Sequence, residues 1–274
     1  MDDRRAAALV LSSHVAADRI GGGAQALVLA GRGFDPVHVP TVLFGRSPAR
    51  GGRGWVVDPD RFAEQLDDVL AARPEGFALV LTGHFSHPDQ VMAAADAVQR
   101  LRAGGASPLV LVDPVLGDAP RGLYVKPEVA QAVAGALVPV ADWITPNLWE
   151  LSFLSGREPA SPAEVVDAVR ALGRPALVTS APAGDGEVGL ICASPAGARL
   201  WAHPRAPQAP NGTGDLAAAL FACGLARSLT PFDAAAAAAE RVAGLVGLAY
   251  ERGMDNLPVL EPFPTAPLRM ESLT

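Results

Sequence analysis

Asn211-Gly212-Thr213-Gly214-Asp215 runs straight into the apolar segment Leu216-Ala217-Ala218-Ala219-Leu220-Phe221-Ala222, which reads as a tight turn opening a helix. Two glycines flanking a threonine let backbone N–H groups point into one small space. The helix start adds its unpaired N–H groups and the positive end of its dipole. Such a turn attracts anions, phosphate above all. Asp215 then places a carboxylate at the lip of a site built for negative charge, where it is useful if it takes a proton from a hydroxyl that attacks phosphorus. The plainer reading is that Asp215 favours the first turn of its helix and the glycines only make a corner; the turn alone leaves both open.

Two other stretches could serve the same chemistry. Asp113-Pro114-Val115-Leu116-Gly117-Asp118 sets a carboxylate just past an apolar run, within reach of a metal or a phosphate ligand, or simply in a strand-end turn. Thr145-Pro146-Asn147-Leu148-Trp149-Glu150 spaces Asn147 and Glu150 three apart, on one side of a helix start. An amide and a carboxylate there can hold hydrated Mg²⁺, which takes few protein ligands. The same spacing is that of a helix cap with its reciprocal partner, so both readings stand.

The elements that must carry these residues alternate along the chain. Strands are predicted over 6–11, 37–44, 78–81, 109–112, 143–144 and 176–179, with an antiparallel pair over 187–193 and 198–202. Helices are predicted over 24–30, 60–72, 89–102, 127–138, 148–154, from the capping box Ser161-Pro162-Ala163-Glu164 to Leu172, from Gly212, and over 231–250. Residues 45–54, rich in Gly and Arg, read as a mobile loop, and 257–274 as an extended C-terminal segment on the domain. The alternation implies one α/β domain over 1–274, with a mainly parallel central sheet and helices on both faces. Ligands should gather at the carboxyl ends of the strands, where Ser13, Thr41, His84, Asp113, Thr145, Asn147, Thr179 and the turn before Asp215 fall.

Composition narrows the partner. The 274 residues are 50% hydrophobic and carry a formal net charge of -7 without a long basic run, which argues against nucleic acid and membrane surfaces and for a small molecule. Cys192 and Cys223 lie in apolar surroundings without metal-ligand spacing and read as buried thiols suited to a reducing cytosol. The first apolar run is too short to cross a bilayer and lacks a cleavage pattern, so a soluble, untargeted, cytoplasmic chain is expected.

Taken in order, Asp113-Pro114-Val115-Leu116-Gly117, Thr145-Pro146-Asn147-Leu148-Trp149-Glu150-Leu151 and Gly212-Thr213-Gly214-Asp215 resemble the signature segments of the ribokinase-fold vitamin kinases. Ser13-His14-Val15 and Gly122-Leu123-Tyr124-Val125 are similar to the pyridoxal kinase branch. The resemblance implies a ribokinase-like fold and ATP-dependent phosphorylation of the 5′-hydroxymethyl group of pyridoxal, pyridoxine or pyridoxamine. It makes Asp215 the general base, with the Gly212, Thr213 and Gly214 amides on the transferring phosphoryl group. It puts Asp113, Thr145, Glu150 and Thr179 around ATP, and Asp113, Asn147 and Glu150 around Mg²⁺, directly or through water. Ser13, Thr41 and His84 would line the vitamer beside Asp215, K⁺ would assist, and the chain would form a homodimer. Ser13 and Thr41 are also placed to cap strand-end turns, and His14 to pack in the structure.

The chain departs from that branch on the vitamer side. The loop usually reading Asn-His-Thr-x-Tyr-Gly is Gly45-Arg46-Ser47-Pro48-Ala49-Arg50-Gly51-Gly52, the usual tyrosine is His84, and the expected Val-Tyr-Gly is Ala16-Ala17-Asp18. Arg46, Arg50 and Arg53 either close over phosphates or belong to a solvated lid that orders with ligand. Gly22-Gly23-Ala24-Gln25-Ala26 resembles the hydroxymethylpyrimidine kinases, which usually carry cysteine where Asp215 stands. A sugar kinase of the same fold and a vitamer-binding protein without turnover are the further alternatives.

Overall fold

Both faces of the first strand are apolar, so it must be covered on both sides, as in a sheet flanked by two helical layers. The computed structural model describes residues 5–207, 209–262, 264 and 266–273. In chain order the elements are β1 (Ala7–Val15), α1 (Gly21–Gly31), β2 (Asp35–Phe44), β3 (Gly54–Val56), α2 (Pro59–Ala72), β4 (Leu79–Thr82), α3 (Pro88–Ala103), β5 (Leu109–Val112), β6 (Gly117–Asp118), β7 (Gly122–Leu123) and α4 (Pro127–Ala132). There follow β8 (Trp143–Ile144), α5 (Leu148–Ser155), α6 (Pro162–Leu172), β9 (Ala176–Ala181), β10 (Glu187–Ser194), β11 (Gly197–Pro204), α7 (Thr213–Ala226), α8 (Pro231–Glu251) and β12 (Arg269–Leu273).

One ten-stranded sheet has the order β12-β11-β10-β9-β8-β5-β4-β1-β2-β3, and β6-β7 forms a small separate pair. From β9 to β2 the neighbours are parallel, while β3, β10, β11 and β12 join antiparallel. The chain leaves β1 for β2 on one side and resumes at β4 on the other. This reversal of winding direction opens a crevice at the carboxyl ends of β1 and β4.

Alternate residues divide the core. Leu9, Leu11, Val80, Val110 and Val112 face the layer of α2, α3 and α4, where Phe62 packs edge-on to Phe85 with centroids 6.4 Å apart. Ala8, Val10, Leu79, Leu81 and Leu111 face α1, α7 and α8, where Trp143 meets Phe221 edge-on at 5.0 Å. Full burial of each such aromatic side chain contributes about 1.5–3 kcal/mol. The alanines of α7 and α8 allow close approach, and at Gly224 a Cβ would come within 2.7 Å of Ala234 Cβ.

The structure corrects several sequence expectations. β1 continues through Ser12, Ser13 and His14 because β2 keeps pairing with it across a bulge between Ser12 and His14. The helix expected over 127–138 breaks after Ala132 into a wide turn, Val133–Leu137, and a tight one, Val138–Val140. Pro139 lacks an N–H and its ring would clash with the Gly135 carbonyl, so an α-helix cannot run through it. Residues 269–273 of the expected extended segment form β12, paired with β11; Phe263, Thr265 and Thr274 of that segment lie outside the described residues.

Candidate active site

Gly212 caps α7 with φ +88°, a left-handed conformation that glycine adopts without steric cost. A Cβ there would lie 3.0 Å from Ile20 Cγ2 and 3.3 Å from the Arg19 carbonyl. The Thr213 hydroxyl donates to the Pro210 carbonyl at 2.8 Å and fixes the entry to the turn, while Gly214 is exposed and faces open space. Asp215, in the first turn of α7, accepts the Gly21 N–H at 2.8 Å. Gly21 is the first residue of α1, so the carboxylate lies where two helix N-termini meet. Both termini favour negative charge there. Burial nonetheless pushes the Asp215 carboxyl up, opposed by the Gly21 hydrogen bond. A carboxylate so raised is the better proton acceptor near neutral pH.

The second group of residues lies along the ends of β5 and β8. Asp113 is buried, and its N–H continues the ladder to the Thr82 carbonyl at 3.2 Å. Its carboxyl is driven well above the ordinary range by burial, then by the Glu150 and Asp215 carboxylates; a Thr145 hydrogen bond opposes the shift. Val115 takes φ +45°, a region costly for a β-branched residue. The turn through it places the Leu116 N–H 2.7 Å from Glu150 Oε1 and the Gly117 N–H 3.4 Å from the same oxygen. A side chain on Gly117 would strike the Gly122 carbonyl and the Trp149 ring.

Asn147 and Glu150 form the capping box of α5. Asn147 Oδ1 accepts the Glu150 N–H, and Glu150 Oε2 accepts the Asn147 N–H, each at 2.9 Å. The Asn147 amide also donates to the Gly117 carbonyl at 2.8 Å. Burial raises Glu150 to about 7 in spite of the three N–H groups it accepts. Thr179 adjoins this group, its N–H on the Pro146 carbonyl at 2.9 Å. Among the described residues no three His, Cys, Asp or Glu side chains are grouped to hold a metal by themselves.

Near the end of β1, Ser13 is buried against Gly21, where an added Cβ would overlap its hydroxyl. Thr41 is fully buried and donates to the His84 carbonyl at 2.6 Å, so its proton is committed to the backbone. The His84 ring pairs with Ser86 Oγ at 3.0 Å and with the Val115 backbone, and burial pushes it down to about 4. His14 packs against His38, their ring centroids 5.8 Å apart.

The glycine turn at the N-terminus of α7 thus holds a half-buried carboxylate. The sequence model of the phosphomethylpyrimidine kinase family matches residues 28–260. The chain belongs to the phosphomethylpyrimidine kinase family.

Within the phosphomethylpyrimidine kinase family its curated relatives include the pyridoxal kinase of Leifsonia xyli subsp. xyli, 32% identical over 262 residues and covering 92% of this chain and 93% of that one. A pyridoxine/pyridoxal/pyridoxamine kinase of Bordetella avium is 34% identical over 215 residues, 75% of this chain and 73% of its own. Among solved structures, the pyridoxal kinase of Leishmania donovani in complex with ADP and pyridoxamine superposes with a TM-score of 0.86 at 25% identity, covering 98% of this chain and 99% of that one.

Asp18, Gly21 and Asn256 hold parts of this candidate site in place, and no local sequence pattern marks them. Asp18 bonds to Ser47, Arg50 and Asn256, at separations of 29, 32 and 238 residues. No local spacing encodes such partners. Gly21 acts through its backbone N–H, which leaves no mark in residue type. Gln25, noted in the glycine-rich segment, is fully buried behind Gly83, where an added Cβ would lie 3.5 Å from its Nε2.

Proposed function

We propose that this chain transfers the γ-phosphoryl group of ATP to the 5′-hydroxymethyl group of a B6 vitamer, namely pyridoxal, pyridoxine or pyridoxamine. The observation that carries the proposal is the Asp215 carboxylate held by the Gly21 N–H beside the Gly212–Gly214 turn. In this reading Asp215 accepts the hydroxyl proton as the oxygen attacks phosphorus. The amides of Gly212, Thr213 and Gly214 then stabilise the charge that develops on the transferring group. Ser13 and His84 line the vitamer, Thr41 braces His84 through its carbonyl, and Thr145 and Thr179 border the nucleotide phosphates.

Mg²⁺ belongs to the same proposal. It is supported by Asp113, a buried carboxylate at the end of β5 whose carboxyl is raised by burial and by the Glu150 and Asp215 carboxylates. Asn147 and Glu150 are already committed to the capping box, so in this reading they act on the ion through water. When bound, Mg²⁺ neutralises charge on the ATP phosphates while keeping several waters. K⁺ as an assisting cation rests on the family resemblance. A homodimer is supported by the exposed apolar ribbon of Leu43, Trp55 and Val56. A cytoplasmic location is supported by Cys192 and Cys223, both buried free thiols.

The test is ATP consumption with Mg²⁺ and K⁺ against the three vitamers, hydroxymethylpyrimidine and simple sugars. Turnover of a vitamer is expected, with Asp215→Asn lowering it by about 10²- to 10⁴-fold while ATP still binds. Near-wild-type turnover in that variant would remove Asp215 from the role. Turnover of hydroxymethylpyrimidine alone would favour the reading that Gly22-Gly23-Ala24-Gln25-Ala26 supports. A vitamer bound but not phosphorylated would make the chain a binding protein.

A further inference from the structure

Asp18 sits in the short connection between β1 and α1, and its side chain is 2% exposed although it carries a carboxylate. A buried charge persists only when it is well paired. Asp18 Oδ2 accepts the Ser47 N–H at 2.6 Å, while Oδ1 accepts Arg50 Nη1 and Asn256 Nδ2, each at 2.8 Å. The Ser47 hydrogen bond, followed by those of Arg50 and Asn256, holds its carboxyl below the ordinary range against burial.

Ser47 and Arg50 belong to the loop between β2 and β3, which is folded on itself. The Arg50 and Gly52 N–H groups donate to the Ser47 carbonyl at 2.9 and 3.0 Å, and Gly51 takes φ +75°. A side chain on Gly52 would overlap the Arg46 carbonyl. The two connections leave the sheet side by side, with the Ala16 and Ala17 N–H groups on the Phe44 and Gly45 carbonyls at 2.9 and 3.0 Å.

On its other side the same connection reaches the phosphoryl-transfer turn by two routes. Along the chain, Arg19 and Ile20 abut Gly212, and the Gly21 N–H holds Asp215. Across space, Asn256 accepts Asn211 Nδ2 at 3.3 Å, and the Asn211 backbone is paired at both ends, its N–H on the Asp255 carbonyl at 2.8 Å and its carbonyl accepting the Leu257 N–H at 3.2 Å. Asn211 directly precedes Gly212.

We propose that Asp18 is a positioning residue for phosphoryl transfer: by tying the 45–53 loop to the strap Asp18–Gly21 and to Asn256, it sets Gly212 and Asp215 in place relative to that loop. The proposal rests on the kinase reading for its reaction, but the tie itself can be judged without turnover. Asp18→Ala removes the acceptor from all three donors. Asp18→Asn keeps the shape and one acceptor oxygen, and Asn256→Ala breaks only the route across space.

Small displacements of reacting groups lower the transfer rate steeply. In Asp18→Ala, kcat for the vitamer is therefore expected to fall about 10- to 100-fold, with KM for ATP little changed. Asp18→Asn should be intermediate. The Asp18→Ala and Asn256→Ala losses in kcat should be less than multiplicative when combined, since both cut one connected path. Trypsin should cut the folded variant faster after Arg46, Arg50 or Arg53, because the loop has lost its anchor.

An unchanged kcat in Asp18→Ala would overturn the proposal. So would a loss that only follows a lowered melting midpoint and multiplies independently with Asn256→Ala. Should Asp18→Ala fail to fold, Asp18→Asn and Asn256→Ala carry the same kinetic and proteolytic comparison. Were the unaltered protein to phosphorylate no vitamer, the kinase reading would fall separately. Trypsin would then decide the tie: faster cleavage of 45–53 in the folded variant supports it, and unchanged cleavage overturns it.

Discussion

His84 lies just past β4 with its ring held between Ser86 Oγ and the Val115 backbone, and burial lowers it from 6.5 to about 4. The unfolded chain therefore takes up this proton first as the solution is acidified. The stability lent by the neutral ring is complete above about pH 6.5 and is lost as the pH falls toward about 4. His38 acts in the same direction, lowered by burial and then by His14, against its hydrogen bond to the Ser12 carbonyl. Urea midpoints measured across this window are expected to fall more steeply for the unaltered protein than for His84→Gln; equal slopes would place the acid sensitivity elsewhere. At this scale the sequence was informative wherever partners are close along the chain. Asn147 and Glu150 showed their cap because its spacing is local, and Asp215 showed its helix start. Asp18 did not, because a carboxylate in a polar connection looks the same whether it is solvated or joined to three distant donors.

Ser161 caps α6 with its hydroxyl accepting the Glu164 N–H at 3.3 Å, while Glu164 answers to the Ser161 N–H at 3.1 Å. The cap's hydrogen bonds stay within Ala160–Glu164 and do not reach the Gly212–Asp215 turn, so Ser161→Ala should cost about 1 kcal/mol of stability and leave turnover unchanged. Gly224 is a sterner case, because α7 and α8 touch there through Ala234. Gly224→Val is expected to cost about 1–3 kcal/mol through overpacking, read as a lowered urea midpoint; an unchanged midpoint would mean that the two helices separate without loss. Elements with a clear apolar period or a local cap were legible in advance. β12 was not, because Arg269–Ser272 are exposed and carry no alternation of buried and polar residues. β3, β6 and β7 are two or three residues long, too short for any period to register. The division of residues 127–140 into three kinds of turn was written in Pro139, whose effect reaches back to Gly135.

Across the whole molecule the sheet ends in two unlike edges. At one, β12 presents mostly polar residues; at the other, Trp55 on β3 is 68% exposed and pairs with the exposed Leu43 on β2. An apolar edge strand invites pairing with another chain. The proposed homodimer would cover this ribbon, so sedimentation of Trp55→Glu should show a monomer where the unaltered protein shows a dimer. A dimer in both would move the interface elsewhere, and a monomer in both would remove the homodimer. The overall architecture was legible because alternating strands and helices with apolar strands leave few arrangements open. The edges were not, since what covers an edge is decided by residues far along the chain.

The hydrogen bond from Gly21 to Asp215 joins positions 194 residues apart. At synthesis rates of about 5–20 residues per second, the first partner waits about 10–40 seconds for the second to be made. Once residue 84 is made, a growing chain carries Ser13, Thr41 and His84 and still lacks Asp215. Translation thus makes Ser13, Thr41 and His84 first and the proposed base late, so in that reading a chain released early from its ribosome is a fragment without a catalyst rather than a weakened one.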